Sequence, residues 1–225
     1  MKRSPKILTW RAKGPVRAVV LVLHGGAEAG LGWVSPWNLP YRRMRALARG
    51  IRRAVTRHGV EVRLLRNRVL GWNEPALHPI ADARWALEQI RDDWPGVRIL
   101  LVGHSMGGRV ALRVADDPAV TGVFALAPWT PRGEAVEPVR GRDVMIAHGS
   151  LDLRTSPAES YAYARRAESQ AARIVRFQVL AEGHAMLVRS RTWTRLVRRF
   201  VLDGAGVEPA RAWAAGPGRR LRQRV

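Results

Sequence analysis

The sequence contains no cysteine, almost no lysine and no long apolar run, and each of these absences excludes something. Without cysteine the protein forms no disulfide and offers no thiolate ligand to a metal ion. The apolar run that follows the basic N-terminus, from Ala18 to Leu23, is too short for a signal-peptide core or a membrane-spanning helix. No other apolar run in the sequence is long enough to span a membrane. The sequence therefore predicts a soluble, cytoplasmic protein.

Lysine is scarce, but positive charge is not. Only Lys2, Lys6 and Lys13 are lysines among the 39 basic residues, so arginine carries the net charge of +21. Such a surplus can attract nucleic acid, anionic lipid or an acidic substrate through its electric field. A codon bias towards arginine would produce the same total, so the positions of the charges are more informative than their number.

The order of apolar segments predicts the fold class. The 225 residues, 47% of them hydrophobic, are enough for one domain with a substantial core. Continuous apolar runs alternate with segments of helical periodicity, which predicts a mostly parallel twisted sheet with helices on both faces, a three-layer α/β/α sandwich with a short edge strand near the N-terminus. Periodicity fades after Asp203. We therefore expect a single domain over residues 1–203 and a flexible basic tail over residues 204–225.

The most specific motif is Gly103-His104-Ser105-Met106-Gly107-Gly108, which directly follows an apolar run. A buried strand that ends in Gly-x-Ser-x-Gly and passes at once into a helix exposes its serine as a nucleophile. Glycines two residues before and two residues after the serine let the strand and the helix approach closely. The motif predicts that Ser105 is a catalytic nucleophile.

Three other predicted strand ends carry the residues that a serine nucleophile needs. They are His24-Gly25-Gly26, His148-Gly149-Ser150-Leu151-Asp152 and Glu182-Gly183-His184. The carboxyl ends of parallel strands meet at one edge of a sheet. Ser105, Asp152 and His184 thus follow one another along the chain as nucleophile, acid and base. In this order, and in the four motifs together, the sequence resembles the α/β-hydrolase superfamily over roughly residues 7–202.

The resemblance implies an α/β-hydrolase fold and a serine mechanism that needs neither a metal nor a cofactor. His184 would accept the proton of Ser105, because histidine titrates near neutral pH. Asp152 would orient the imidazole and stabilise its transient positive charge. The oxyanion would be bound by the backbone N–H group of Met106 and by that of Gly26 or its neighbour Ala27.

The other histidines near strand ends have structural interpretations. His24 and His148 precede glycines, and we expect them to hold loop backbone by hydrogen bonds. His104 is adjacent to the nucleophile, and we expect it to point away. This leaves His184 as the candidate base.

The loops around the nucleophile predict an open site. Serine at the elbow argues against haloalkane dehalogenases and epoxide hydrolases, which use aspartate there, and against dienelactone hydrolases, which use cysteine. The stretch after Ala127 is too short for the helical cap of many relatives. Trp33, Trp37 and Trp129 either line an apolar acyl pocket or cover the edge of the sheet. Arg154 either contacts a substrate carboxylate or phosphate or is a solvated loop side chain.

The first and last long helices carry arginines and no acidic residue before Asp203. These are Arg42, Arg43, Arg45, Arg49, Arg52, Arg53 and Arg57, and Arg191, Arg195, Arg198 and Arg199. The two helices are adjacent in the superfamily, so the resemblance implies one arginine-rich face that lies away from the serine. This face either binds anionic lipid, nucleic acid or an acidic partner, or is merely solvated; no dedicated nucleic-acid motif accompanies it.

The function predicted from these observations is hydrolysis of a small-molecule acyl ester or thioester through an acyl-enzyme intermediate. The same residues could equally catalyse acyl transfer or cleave a peptide or amide bond, because the fold and the triad do not determine which group accepts the acyl group. A catalytically silent basic binding module is the alternative from a different functional class.

Overall fold

The computed structural model describes residues 4–209 and 220–225. The strands are β1 (Lys6–Trp10), β2 (Ala18–Leu23), β3 (Val60–Arg66), β4 (Arg98–His104), β5 (Val120–Leu126), β6 (Asp143–Gly149), β7 (Arg173–Val179) and β8 (Gln223–Arg224). The helices are α1 (Leu39–Thr56), α2 (His78–Asp93), α3 (Met106–Arg113), α4 (Pro157–Ala167) and α5 (Ser190–Gly204), with a 3-10 turn at Glu137–Val139.

These strands form one sheet in the order β1-β3-β2-β4-β5-β6-β7-β8. All neighbours pair in parallel except the edge strand β1, which runs antiparallel to β3. Successive strand residues face opposite sides, so Val20 and Val22 pack beneath α1 and α5, while Val19 and Leu21 pack beneath α2, α3 and α4. The predicted three-layer α/β/α architecture is confirmed.

The arginine-bearing helices α1 and α5 pack against each other on one face of the sheet. The apolar side of α1 is buried through residues such as Met44, Ile51 and Val55, which leaves its arginines on the outer side. Within the described residues, none of the eleven arginines forms an ion pair with an acidic side chain. The expectation that all these arginines lie away from Ser105 is wrong for Arg43. Because α1 begins at the carboxyl edge of the sheet, Arg43 lines the cavity that contains Ser105.

Part of the segment predicted to be a flexible tail is ordered. The backbone of Gln223 and Arg224 extends the sheet beside β7, and the Leu221 side chain is buried. The free backbone groups of an edge strand favour such pairing, which composition alone does not reveal. The prediction of a flexible tail over residues 204–225 is therefore corrected for residues 220–225. It is also corrected at its start, where Gly204 ends α5, Ala205 is buried and Val207 packs against the core. Residues 210–219 lie outside the described part of the chain.

Among the described residues, no helix combines the length and the apolar character that crossing a bilayer requires.

Candidate active site

Ser105 lies in a strained turn between β4 and α3. Its φ is +56° and its ψ is −120°, a conformation that non-glycine residues rarely adopt. The turn is possible because glycines flank it: a Cβ on Gly103 would lie 2.0 Å from the carbonyl oxygen of Gly107, and a Cβ on Gly107 would lie 2.5 Å from that of His24. The turn lifts the Ser105 hydroxyl clear of the backbone, as the motif predicts.

The structure brings Ser105, His184 and Asp152 together. The Ser105 hydroxyl lies 3.0 Å from Nε2 of His184, and Nδ1 of His184 lies 2.8 Å from Oδ2 of Asp152. These are hydrogen-bond distances, with the imidazole between the hydroxyl and the carboxylate. The arrangement can move a proton from Ser105 to Nε2 while Nδ1–H stays bonded to the carboxylate.

Asp152 is held as a carboxylate by its surroundings. Oδ1 accepts hydrogen bonds from the backbone N–H groups of Arg154 (2.8 Å) and Thr155 (3.0 Å), and Oδ2 accepts one from the Thr155 hydroxyl (2.9 Å). Burial alone would raise the pKa of Asp152, but hydrogen bonds from His148, from His184 and from the backbone together hold that pKa well below its usual range. A fixed negative charge beside His184 can stabilise an imidazolium.

His104 does not point away from the site. Its Nε2–H donates to the carbonyl oxygen of His184 at 2.9 Å, and the two rings lie 4.8 Å apart. Burial and the neighbouring His184 lower the pKa of His104 to about 3, so its ring stays neutral. His104 therefore fixes the backbone that carries His184, a contact that no sequence pattern predicted because it joins residues 80 positions apart.

His148 does more than hold loop backbone. It is fully buried, with Nε2 3.2 Å from Oδ2 of Asp152 and 3.2 Å from the carbonyl oxygen of Thr155. On the other side of the ring, Nδ1 lies 2.8 Å from the Ser160 hydroxyl. The four-residue spacing between His148 and Asp152 is the sequence feature that indicates this contact, because the turn after β6 brings the two side chains together.

The backbone N–H groups of Met106 and Gly26, which line the same cavity as Ser105, have no acceptor among the described residues. The alternative donor, the N–H of Ala27, is already bonded to the carbonyl oxygen of Leu70 at 3.0 Å. Gly26 is exposed to solvent. Met106 is the first residue of α3. Of the two alternatives left open by the sequence, the geometry favours Gly26 as the second oxyanion donor.

These groups line a cavity of about 840 Å³ at the carboxyl edge of the sheet. Residues 127–142, between β5 and β6, contain no helix beyond the 3-10 turn, so no helical cap is inserted there. Apolar side chains are exposed around the mouth of the cavity: Leu39, Leu151, Leu153, Leu187 and Val188. The site is thus open and has an apolar rim.

Of the three tryptophans proposed to contact substrate, the structure places only Trp129 in the wall of the cavity. The Arg109 guanidinium lies between the rings of Trp129 and Trp72, 4.4 Å and 4.1 Å from their centroids. Trp33 and Trp37 do not line the cavity. Both side chains are exposed, and the guanidinium groups of Arg66 and Arg42 lie over the rings of Trp33 and Trp37, respectively.

Comparisons with known proteins agree with the fold. A family model described as the alpha/beta hydrolase family matches residues 19–222. A search of curated protein sequences gives no match. Several solved structures are similar to this chain, and at their low sequence identities the similarity shows the fold alone.

An alpha-beta serine hydrolase homologue from Coxiella burnetii is 16% identical over 87% of this chain and 91% of that chain, with a TM-score of 0.67. A serine hydrolase without lid from Xanthomonas campestris is 18% identical over 95% and 91% of the two chains, with a TM-score of 0.62. A monoacylglycerol lipase from Paleococcus ferrophilus is 12% identical over 89% and 99%, with a TM-score of 0.65. Since the family model spans most of the sequence and the fold agrees with it, the chain belongs to the alpha/beta hydrolase family.

Proposed function

We propose that the protein is a serine hydrolase that cleaves ester or thioester bonds of small molecules through an acyl-enzyme intermediate. The observation that carries the proposal is the continuous hydrogen-bonded path from the Ser105 hydroxyl through His184 to Asp152, with the hydroxyl facing an open cavity. A family member that lacked this path would have no means of activating the hydroxyl.

In the first half of the reaction, Oγ of Ser105 attacks the carbonyl carbon of the substrate while Nε2 of His184 takes the hydroxyl proton. The carbonyl oxygen becomes an oxyanion, which accepts hydrogen bonds from the N–H groups of Met106 and Gly26. The imidazolium then gives its proton to the leaving alcohol or thiol, and the acyl group stays on Ser105. Asp152 holds the ring orientation and balances its transient charge.

In the second half, a water molecule attacks the acyl-enzyme. His184 takes a proton from the water, the same two N–H groups bind the second oxyanion, and the proton returns to Oγ of Ser105 as the acid leaves. An alcohol or amine in place of water would give acyl transfer, and an amide substrate would give amidase or peptidase activity. The open site leaves room for water, and the apolar rim suits an acyl chain.

The test is release of p-nitrophenol from a series of short acyl esters. We expect Ser105→Ala to lower kcat by about 10³-fold or more. Ser169→Ala is the matched control, because Ser169 is exposed beyond α4 and outside the cavity. Intact-mass analysis after rapid quenching should find the acyl group on the wild type and on Ser169→Ala, but not on Ser105→Ala. Equal hydrolysis by wild type and Ser105→Ala, with both variants folded, contradicts the proposal.

A further inference from the structure

Two arginines face the cavity from opposite elements. Arg43 projects from the beginning of α1, and Arg154 lies in the loop after β6 that carries Asp152. The backbone N–H of Arg154 donates to Oδ1 of Asp152, so the same hydrogen bond that positions the acid also fixes the backbone of Arg154. Both arginines line the cavity that contains Ser105.

Neither guanidinium is neutralised by the protein. Within the described residues, no carboxylate lies within ion-pair distance of Arg43 or Arg154, although other arginines of the chain are paired. The Nε of Arg43 is buried and has no hydrogen-bond partner there. A buried guanidinium N–H without an acceptor is costly in free energy, so it is rarely left unused.

The charges of the two side chains are close enough to act on each other. Burial, together with the positive charge of Arg154, lowers the pKa of Arg43. The first turn of α1 contains no acidic residue that could offset the charge of Arg43. The wall between Arg43 and Arg154 is therefore a region of positive potential with unused donors.

The carboxylates nearest to this wall form no ion pair with either arginine. Asp152 bonds the backbone N–H of Arg154 and faces the imidazoles of His184 and His148. Glu182 is buried and already accepts hydrogen bonds from the N–H of Arg189, the indole of Trp193 and the N–H of Gly183. Glu28 lines the cavity but is exposed and pairs with neither arginine. An anion that enters the cavity would meet two free guanidinium groups, each with a planar fork that fits a carboxylate or a phosphate.

We propose that Arg43 and Arg154 bind a negatively charged group of the substrate, so that the preferred substrate is an ester or thioester that also carries a carboxylate or a phosphate. The inference rests on the proposed hydrolase function. It names a substrate class for that same site: the scissile carbonyl lies at Ser105, and the anionic group lies against the two arginines.

The test compares two esters that differ only at the far end of the acyl chain, p-nitrophenyl hexanoate and mono-p-nitrophenyl adipate. We expect wild type to have the higher kcat/KM for the adipate ester. Arg43→Gln and Arg154→Gln should each lower the adipate-to-hexanoate ratio of kcat/KM by about 10-fold, because each removes a charge-assisted contact. The control is Arg49→Gln, which removes the same charge from the exposed side of α1 and should leave the ratio unchanged.

A ratio that favours hexanoate in wild type, or that falls equally in Arg49→Gln, overturns the inference and leaves the hydrolase function intact. If neither ester is turned over, the proposed function fails, and calorimetric binding of adipate and of inorganic phosphate tests the anion site directly. Binding that Arg43→Gln and Arg154→Gln abolish supports the site, and the tighter of the two anions distinguishes a carboxylate from a phosphate. Absence of binding to both anions overturns it.

Discussion

His148 Nε2 lies 3.2 Å from Oδ2 of Asp152, the oxygen that also bonds Nδ1 of His184. One carboxylate oxygen is thus held by two imidazoles, by His184 on the cavity side and by His148 on the core side. The position of His148 is in turn fixed by the Ser160 hydroxyl. In our account, His148 is a positioning residue that acts on the reaction only through Asp152.

Replacing His148 should therefore lower turnover without removing any group that touches substrate. For His148→Phe we expect kcat to fall about 10- to 100-fold with little change in KM, because Asp152 loses a charge-assisted hydrogen bond. His148→Gln keeps a donor and should recover part of the loss. Steady-state kinetics and thermal melts of both variants check this. If Gln and Phe variants of equal melting temperature show the same kcat, the hydrogen bond to Asp152 has no role in positioning.

Gly26 should tolerate no side chain. A Cβ there would lie 2.3 Å from the carbonyl oxygen of Leu70 and 2.5 Å from Cε of Met106, so Gly26→Ala has to shift the loop that carries the oxyanion donor. We expect kcat to fall by about 10²–10³-fold, the usual cost of losing one such donor. Gly50→Ala, on α1 and outside the cavity, serves as the control, because its Cβ would meet only the side chain of Thr194 on α5, at 3.1 Å. Unchanged kcat in a folded Gly26→Ala protein would remove Gly26 from the oxyanion site.

The sequence predicted the layers, the nucleophile turn and the order of the candidate triad, because each is encoded by local spacing. Some of the contacts that hold the candidate triad in place join residues far apart in the chain, so local spacing does not predict them. His104, at the end of β4, bonds the backbone of His184 in the loop after β7, although β5 and β6 lie between those two strands. Arg43 reaches the cavity only because α1 begins at that edge of the sheet. The pairing of residues 223–224 with β7 was missed for the same reason, since edge pairing depends on backbone geometry rather than on side-chain pattern.

Two buried histidines should make the fold sensitive to acid. Burial lowers the pKa of His24 to about 4 and, with His184, that of His104 to about 3, whereas a histidine of the unfolded chain titrates near 6.5. Between these values the unfolded chain binds protons that the folded chain does not. Stability is therefore at its full value above about pH 6.5 and decreases as the pH falls towards 4.

Urea unfolding at several pH values measures this effect. His24→Gln removes one of the two histidines, so we expect the slope of the unfolding free energy against pH between pH 4 and 6.5 to decrease by up to about 1.4 kcal/mol per pH unit. The glutamine amide can still accept from the N–H of Asn67, as His24 does at 3.1 Å. An unchanged slope would show that His24 is protonated in the folded protein.

The arginine-rich face of α1 and α5 should give salt-sensitive adsorption to anionic surfaces. We expect co-sedimentation with phosphatidylglycerol vesicles at low ionic strength that is lost as the salt concentration rises above about 0.1 M, where the Debye length is already ~10 Å. Arg49→Gln/Arg199→Gln should bind more weakly than Arg132→Gln/Arg140→Gln, which removes two exposed arginines elsewhere. Equal loss in both double variants would mean that net charge, not this face, causes the binding, and no binding by wild type would leave the face merely solvated.

Labelling with a fluorophosphonate probe measures whether Ser105 is an activated nucleophile, because the probe reacts only with a serine that a base has activated. We predict stoichiometric modification of the wild type, mapped by peptide mass spectrometry to Ser105, strong slowing in His184→Ala and no modification of Ser105→Ala. Labelling that persists at another residue in Ser105→Ala would contradict the assignment of Ser105 as the nucleophile. Absence of labelling in the folded wild type would contradict the serine mechanism and favour a catalytically silent binding protein.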